Sequence, residues 1–330
     1  MPANLTPQYK EAEERFRRAT GHDEKLAALR EMLAILPKHK GTEKIQADLR
    51  RRLAKLEEEG ERGRKGGARR FDPGHVEREG AGQWVMLGAP NAGKSALLRS
   101  LTHAHPEVAP YPFTTRLPLP GMMPFEDVQV QLVDTPAVSE HHVEPYLVNL
   151  LHGADGVLLV LDLTADDLEP SLERSRALLE RARVWPSGRP LPPDAPPLLV
   201  VRPVVAVANK RDLDPDGTFT ELARAAAGEG LPFFPVSAEH GSGLEELRRA
   251  LFEHLGVIRI YAKEPGKKPD LERPFVLPRG ATVLHLARVV HKEIAERLRF
   301  ARIWGSGRFD GQQVDHDHPL ADRDVVELHA

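Results

Sequence analysis

The sequence predicts an α/β protein: a largely parallel sheet with helices on both faces, preceded by a helical hairpin and followed by a small α+β module. Three observations carry this. From Gln83 onward, apolar runs ("WVMLG", "VQVQLVD", "GVLLVLD", "PVVAVANK", "PFFPVSA") alternate with amphipathic segments such as "SLERSRALLERA" and "GLEELRRALFEHL". Apolar strands joined by helical crossovers form a sheet covered on both faces, with its ligand site at the carboxyl ends of the strands. Upstream, leucines recur at helical spacing. Beyond Val257 the pattern gives a strand, a turn, an amphipathic helix and a closing strand within about seventy residues, the size of a small α+β unit.

Taken in order, Leu26, Leu29, Leu33 and Leu36 form one helical stripe, and Ile45, Leu49, Leu53 and Leu56 a second. "PKHKGT" separates them, with Thr42 as the expected N-cap of the second helix. "EEEGERGRKGGARRFDPG" then breaks every periodicity and reads as a linker. The expected domains are a helical segment at 1–60, a basic glycine-rich linker at 61–81, an α/β domain at 82–257 and the α+β module at 258–330. "WPSGRPLPPDAPPLLVVRP", Trp185 to Pro203, holds too much proline for helix or central strand and is expected as a surface insertion.

Composition bounds the function. The chain has 330 residues, 41% hydrophobic and 29% charged, enough for more than one core. There is no cysteine, so disulfides, zinc-thiolate sites and thiol catalysis are excluded. No run approaches the ~18 apolar residues of a membrane span, and no secretory signal is visible, so the expected location is the cytoplasm, with no membrane partner. Net charge is −3, yet residues 1–80 hold 19 Lys+Arg against 15 Asp+Glu. The surplus sits in "RGRKGGARR" (Arg62, Arg64, Lys65, Arg69, Arg70), which reads as a solvated linker or as an RNA or phosphate contact.

Gly88-Ala89-Pro90-Asn91-Ala92-Gly93-Lys94-Ser95 fits G-x-x-x-x-G-K-[ST], with an apolar strand before it and "SALLRSL" continuing as a helix. In such a loop, backbone amides and the helix N-terminus bind phosphate. Gly93 permits close approach, Lys94 reaches the β- and γ-phosphates, and the Ser95 hydroxyl is a Mg²⁺ ligand. Downstream, "VQLVDTPAV" sets Asp134 at a strand end, where a carboxylate holds Mg²⁺ through water.

Asn209-Lys210-Arg211-Asp212 ends the apolar run "PVVAVA". A fixed carboxylate at Asp212 accepts from the ring N–H and the exocyclic amine of guanine; adenine would leave it unmatched. Asn209 ties adjacent loops, the Lys210 stem covers the base, and "VSAE" offers the Ala238 amide to the base oxygen.

With these motifs in order, residues 83–255 resemble a GTPase domain. "PYPFTTR" resembles the effector loop of the Obg and developmentally-regulated GTP-binding (DRG) proteins. "KKPD", "PFVLPRGATV", "FARIWG" and "DHPLADRDVVELH" resemble their TGS domain, a β-grasp module. The helical pair and its basic linker are similar to the DRG layout. The resemblance implies that residues 82–257 are an OBG-type G domain and 258–330 a TGS domain. It implies Thr115, or its neighbour Thr114, closing on Mg²⁺ and γ-phosphate. It also implies Asp134, Thr135, Pro136 and Ala137 as a second switch and Ser237, Ala238 and Glu239 beside the base. The implied ligands are GTP or GDP and Mg²⁺, with Ser95, Thr115 and Asp134 toward the metal. The implied partners are ribosome or RNA, or a regulatory protein of the DRG type, and no DNA. The basic linker and the Arg288–Arg308 stripe are compatible with RNA.

Two residues depart from the family pattern. Ala137 replaces the glycine of D-x-P-G, which restricts the backbone flip that glycine permits. Val138 sits where Ras-like enzymes keep the glutamine that orients water. Slow hydrolysis follows, and so does a rival reading, a GTP-binding adaptor with negligible turnover. An ATP-dependent enzyme is disfavoured by Asp212. Lys94, Thr115 and Asn91 are the candidate catalytic groups. Asn91 matches the loop asparagine of potassium-activated GTPases, where a side-chain carbonyl holds K⁺ against the phosphates; the other reading is an asparagine that caps the loop. His141-His142 and the polar "DHDH" (Asp315 to His318) are expected as surface histidines, with no structural metal.

Overall fold

The computed structural model describes residues 16, 22–36, 49, 51, 53, 74–102, 117–138 and 143–330. The chain divides into two compact units, Met1–Asp72 and Pro73–Ala330. In the first, helix α1 (His22–Ile35) buries Leu29 and Met32, which with Leu36 cluster around Leu49. Leu33, on the expected stripe, is only partly buried, and Met32 takes the central place. The basic run at 62–70 lies outside the described residues.

The second unit holds a six-stranded sheet in the order β2-β3-β1-β4-β7-β8. Its strands are β1 (Gln83–Gly88), β2 (Leu119–Phe125), β3 (Val128–Asp134), β4 (Gly156–Asp162), β7 (Val204–Asn209) and β8 (Phe233–Pro235). All pairings are parallel except the β2–β3 hairpin. Period-two alternation distributes the central strands between two cores. Val85, Leu87, Val157, Leu159, Ala206 and Ala208 face one. Trp84, Met86, Leu158, Val160, Val205 and Val207 face the other. Both faces are therefore dry, which is why these runs read as continuously apolar.

The apolar pattern did not announce β2: "LPGMMPF" carries two prolines and a glycine, and it is found on the sheet edge, where proline is tolerated. The proline-rich stretch stays out of the main sheet. Its ends form β5 (Val184–Pro186) and β6 (Val200–Arg202), a separate two-stranded parallel ribbon.

After β9 (Val257–Ala262) comes the second, five-stranded sheet, ordered β10-β9-β13-β11-β12. It comprises β10 (Phe275–Pro278), β11 (Phe300–Trp304), β12 (Gln312–Val314) and β13 (Asp324–His329), with β13 parallel to β9. The single helix expected here is two, Val283–Val290 and Lys292–Arg297, because the extended backbone of His291 interrupts it. Thr282 and His285 form a capping box at the first, and the carbonyls of His316 and His318 accept from Leu284 and Val283. The "DHDH" loop thus serves that helix start. His141-His142 lies outside the described residues.

The two sheets meet at the turn of the β2–β3 hairpin. Arg259 of β9, 4% exposed, pairs with Glu126 and Asp127 of that turn and, at 2.7 Å, with Asp322. Tyr261 donates to Asp127, Arg323 pairs with Glu126 at 2.5 Å, and the guanidinium of Arg259 lies 4.8 Å over the Phe252 ring.

Candidate functional site

The carboxyl ends of β1, β3, β4 and β7 open on one edge of the sheet. The chain leaves β1 toward β3 on one side, while β4 lies on the other. A crevice at such a reversal of strand order is where open α/β sheets bind ligands.

The loop from Gly88 to Lys94 runs from β1 into helix α2 (Lys94–Thr102). Two glycines are demanded by their neighbours. A Cβ on Gly88 would stand 2.4 Å from the Val160 carbonyl oxygen, and one on Gly93 (φ +87°) would stand 2.2 Å from Asn209 Nδ2. Asn91 is exposed and left-handed at φ 61°, a conformation that asparagine tolerates better than most residues. This geometry suits an asparagine that shapes the loop, the second of the two readings of Asn91. Lys94 is buried, with Nζ donating to the carbonyls of Gly88 and Ala89 at 3.0 Å each. Burial lowers its pKa, partly offset by Asp134.

Ser95 Oγ donates to Asp134 Oδ2 at 2.5 Å. Burial raises the Asp134 pKa, against the pull of Ser95 and Lys94. Its other oxygen, Oδ1, is buried without a hydrogen-bond partner. A hydroxyl beside a carboxylate with an unsatisfied oxygen is an all-oxygen donor set that fits a hard divalent cation such as Mg²⁺.

Thr135 is buried and bonds the Met86 carbonyl at 2.6 Å, fixing the strand end. Pro136 and Ala137 are half-buried, and the Val138 N–H donates to Gly88 O at 3.1 Å. The Val138 side chain, 2% exposed, lies in the core with Tyr146 and Leu147. A valine side chain has no polar group, and this one is packed in the core, so it positions no water. Thr115 and Thr114 lie outside the described residues.

Asn209 is clamped on both sides. Its Nδ2 donates to Ala92 O and its Oδ1 accepts from the Ala238 N–H, both at 3.0 Å, so one buried amide joins the loop at 88–95 to the loop at 237–239. Lys210 is left-handed (φ 68°), and its Nζ reaches Asp162 Oδ2 at 2.6 Å. Asp212 follows in a 3-10 turn (Arg211–Leu213). The Ser237 hydroxyl is the main group holding its carboxyl below the usual range, and His240 stands 3.6 Å away. Ser237 is fully buried, whereas Glu239 is exposed.

The structure thus gathers Gly88–Ser95, Asp134–Ala137, Asn209–Asp212 and Ser237–Glu239 on one edge. Two contributors escaped the sequence reading. Ser100 Oγ bonds the Ala238 carbonyl at 2.6 Å. Asp162, the partner of Lys210, ends an apolar strand just as Asp134 and Asn209 do, and that shared position was the signal available.

Fold and site define the class: a P-loop GTPase domain joined to a TGS domain. Residues 83–190 match the family described as 50S ribosome-binding GTPase, and residues 258–330 match the TGS domain. A GTP-binding protein of Methanocaldococcus jannaschii is 28% identical, covering 93% of this chain and 93% of its own. Developmentally-regulated G-protein 1 of Arabidopsis thaliana is 25% identical over 92% of this chain and 90% of its own. Developmentally-regulated GTP-binding protein 2 of Mus musculus is 23% identical over 92% and 98%. Among solved structures, the YchF GTPase of Schizosaccharomyces pombe shares the fold, with a TM-score of 0.54 at 12% identity over 77% of this chain and 99% of that one. The chain thus carries a GTPase domain followed by a TGS domain, and over most of its length it is similar to the developmentally-regulated GTP-binding (DRG) proteins. Among the described residues, no helix is long and apolar enough to cross a membrane.

Proposed function

We propose that this protein is a slow molecular switch that binds Mg²⁺-GTP and hydrolyses it to GDP and phosphate. The observation that carries this reading is the convergence of Lys94, Ser95, Asp134 and the Asn209–Asp212 tetrapeptide on one sheet edge. Gly88 to Ser95 cradle the phosphates by their backbone amides. Lys94 is placed to exchange its two loop carbonyls for phosphate oxygens, and Asp212 accepts the paired donors of guanine. Ser95, Asp134 and Thr115 are the residues that would hold Mg²⁺, which when bound neutralises charge on the phosphates. Thr115 and Asp134 to Ala137 order or relax with nucleotide state, and Ser237 to Glu239 flank the base.

Ser95→Asn should weaken Mg²⁺-GTP at least tenfold more than GDP, because the lost hydroxyl is a metal ligand. Titration of both nucleotides by calorimetry checks it; an equal loss for the two would point to a folding defect.

With Val138 buried in the core, water must be positioned by other groups, and Asn91 is the candidate for recruiting K⁺ as a charge-stabilising cation. Turnover should be slow in Na⁺ and rise about tenfold in K⁺, ~1.4 kcal/mol of transition-state stabilisation. Asn91→Ala should remove the difference while nearly preserving GDP affinity. Identical single-turnover rates in the two salts would retire the K⁺ idea, and negligible rates in both would favour the GTP-binding adaptor, the reading that the side-chain placement of Val138 supports.

For the partner we propose a ribosomal or RNA surface. Arg288 and Arg297 on the two helices, Arg302 on β11, and Arg299 and Arg308 in the segments on either side of β11 are all exposed. The family matched by residues 83–190 is described as 50S ribosome-binding GTPase, and an exposed arginine stripe suits phosphate. Co-sedimentation with ribosomes in a non-hydrolysable GTP analogue, against GDP, tests this. The compartment we propose for this function is the cytoplasm.

A further inference from the structure

We infer that Asp162 is a positioning residue of the guanine pocket, acting through Lys210; this rests on the assignment of Asn209–Asp212 to the base. Asp162 and Asn209 are register partners at the ends of β4 and β7, so the two strands deliver their last side chains side by side. The next residue, Lys210, turns left-handed, which sends its side chain back toward β4 rather than onward into solvent. Its ammonium meets Asp162 Oδ2 at 2.6 Å, with the carboxylate side chain only 10% exposed. The other carboxylate oxygen is committed elsewhere. Oδ1 accepts from the Thr164 N–H at 2.9 Å and from its hydroxyl at 2.7 Å, which fixes the carboxylate in one orientation.

The consequence is mechanical. A lysine stem covers a base only when both of its ends are held, since a free lysine side chain carries large rotamer entropy. Here the backbone holds one end and Asp162 the other. The four methylenes between them form a preset lid for one face of the base, and ordering them costs nothing further when nucleotide arrives. A merely local role for Asp162 would be to close the turn at Thr164 through Oδ1. The two roles use different oxygens and separate experimentally.

Asp162→Asn keeps an acceptor for both Thr164 bonds and removes the charge that anchors Lys210. In the full-length protein, release of a fluorescent GDP analogue, followed by stopped flow, should accelerate about five- to tenfold, with thermal stability near that of the parent. Lys210→Met should accelerate release to a similar extent. In the Lys210→Met background, Asp162→Asn should add less than about a twofold change, because the group it acts through is gone. Unchanged release in Asp162→Asn overturns the inference. So does equal acceleration in the parent and Lys210→Met backgrounds, which would assign Asp162 to the turn alone. The underlying assignment is read separately with Asp212→Asn. If that variant changes base preference while Asp162→Asn is silent, the inference alone fails; if base preference is unmoved, the assignment falls and the inference with it.

Discussion

Arg259→Ala is expected to destabilise the Pro73–Ala330 unit by about 3 kcal/mol, the low end of the range for removing one partner of a buried ion pair. The low end applies because Glu126, Asp127 and Asp322 are 46%, 21% and 37% exposed, so water takes over part of what the guanidinium supplied. The substitution also removes the packing of Arg259 over Phe252. Urea denaturation of parent and variant measures the difference; a loss below about 0.5 kcal/mol would show the cluster to be energetically idle. Arg259→Lys should recover only part of it, since an ammonium cannot bridge three carboxylates as a planar guanidinium does.

The same cluster sets an acid dependence. Hydrogen bonding from Arg259 and Arg323 holds the Glu126 carboxyl below its usual range. Partial desolvation pushes Asp127 up, but bonds from Tyr261 and Arg259 prevail and its pKa is lowered; Asp322, pushed up in the same way, is lowered on balance by its bonds from Arg259. Carboxyls lowered in the folded state contribute stability that is complete above the unfolded carboxylate range, about pH 4–5, and is lost as pH falls through the folded values. Stability of the parent should therefore drop below about pH 4.5, and Arg259→Ala should flatten that drop.

Asp212→Asn is expected to reverse base preference. The carboxylate accepts two guanine donors, and asparagine presents one acceptor and one donor, which matches xanthine with its extra carbonyl. The guanine mismatch costs about 1–3 kcal/mol, roughly five- to 150-fold in GTP affinity, with a gain for xanthosine triphosphate. Competition binding with the two triphosphates decides it. Parent-like GTP binding with no gain for the xanthine nucleotide would remove Asp212 from the base contact.

The site was legible in its local parts. A glycine-rich loop between strand and helix, an aspartate at a strand end and N-K-x-D at another are each written in contiguous residues, because phosphate and base recognition use backbone loops at strand ends. Asp162 was equally visible as a strand-end aspartate, yet nothing local to it says that Lys210, 48 residues later, turns back to meet it. β2 was hidden by its prolines, which only an edge position tolerates. Val138 was readable as a missing glutamine, but not as a core side chain.

Sequence alone determined the two-layer covering of the sheet, through continuous apolar runs, and the order of the nucleotide motifs, through local turn chemistry. Tertiary structure decided what depends on juxtaposing distant residues. It clamped Asn209 between Ala92 and Ala238, set Ser95 on Asp134, and assembled Arg259 with Glu126, Asp127 and Asp322 across two sheets. A charged or amide side chain declares its chemistry at its own position. Which partner desolvates and satisfies it is fixed only when strand register and crossover bring that partner within hydrogen-bonding distance.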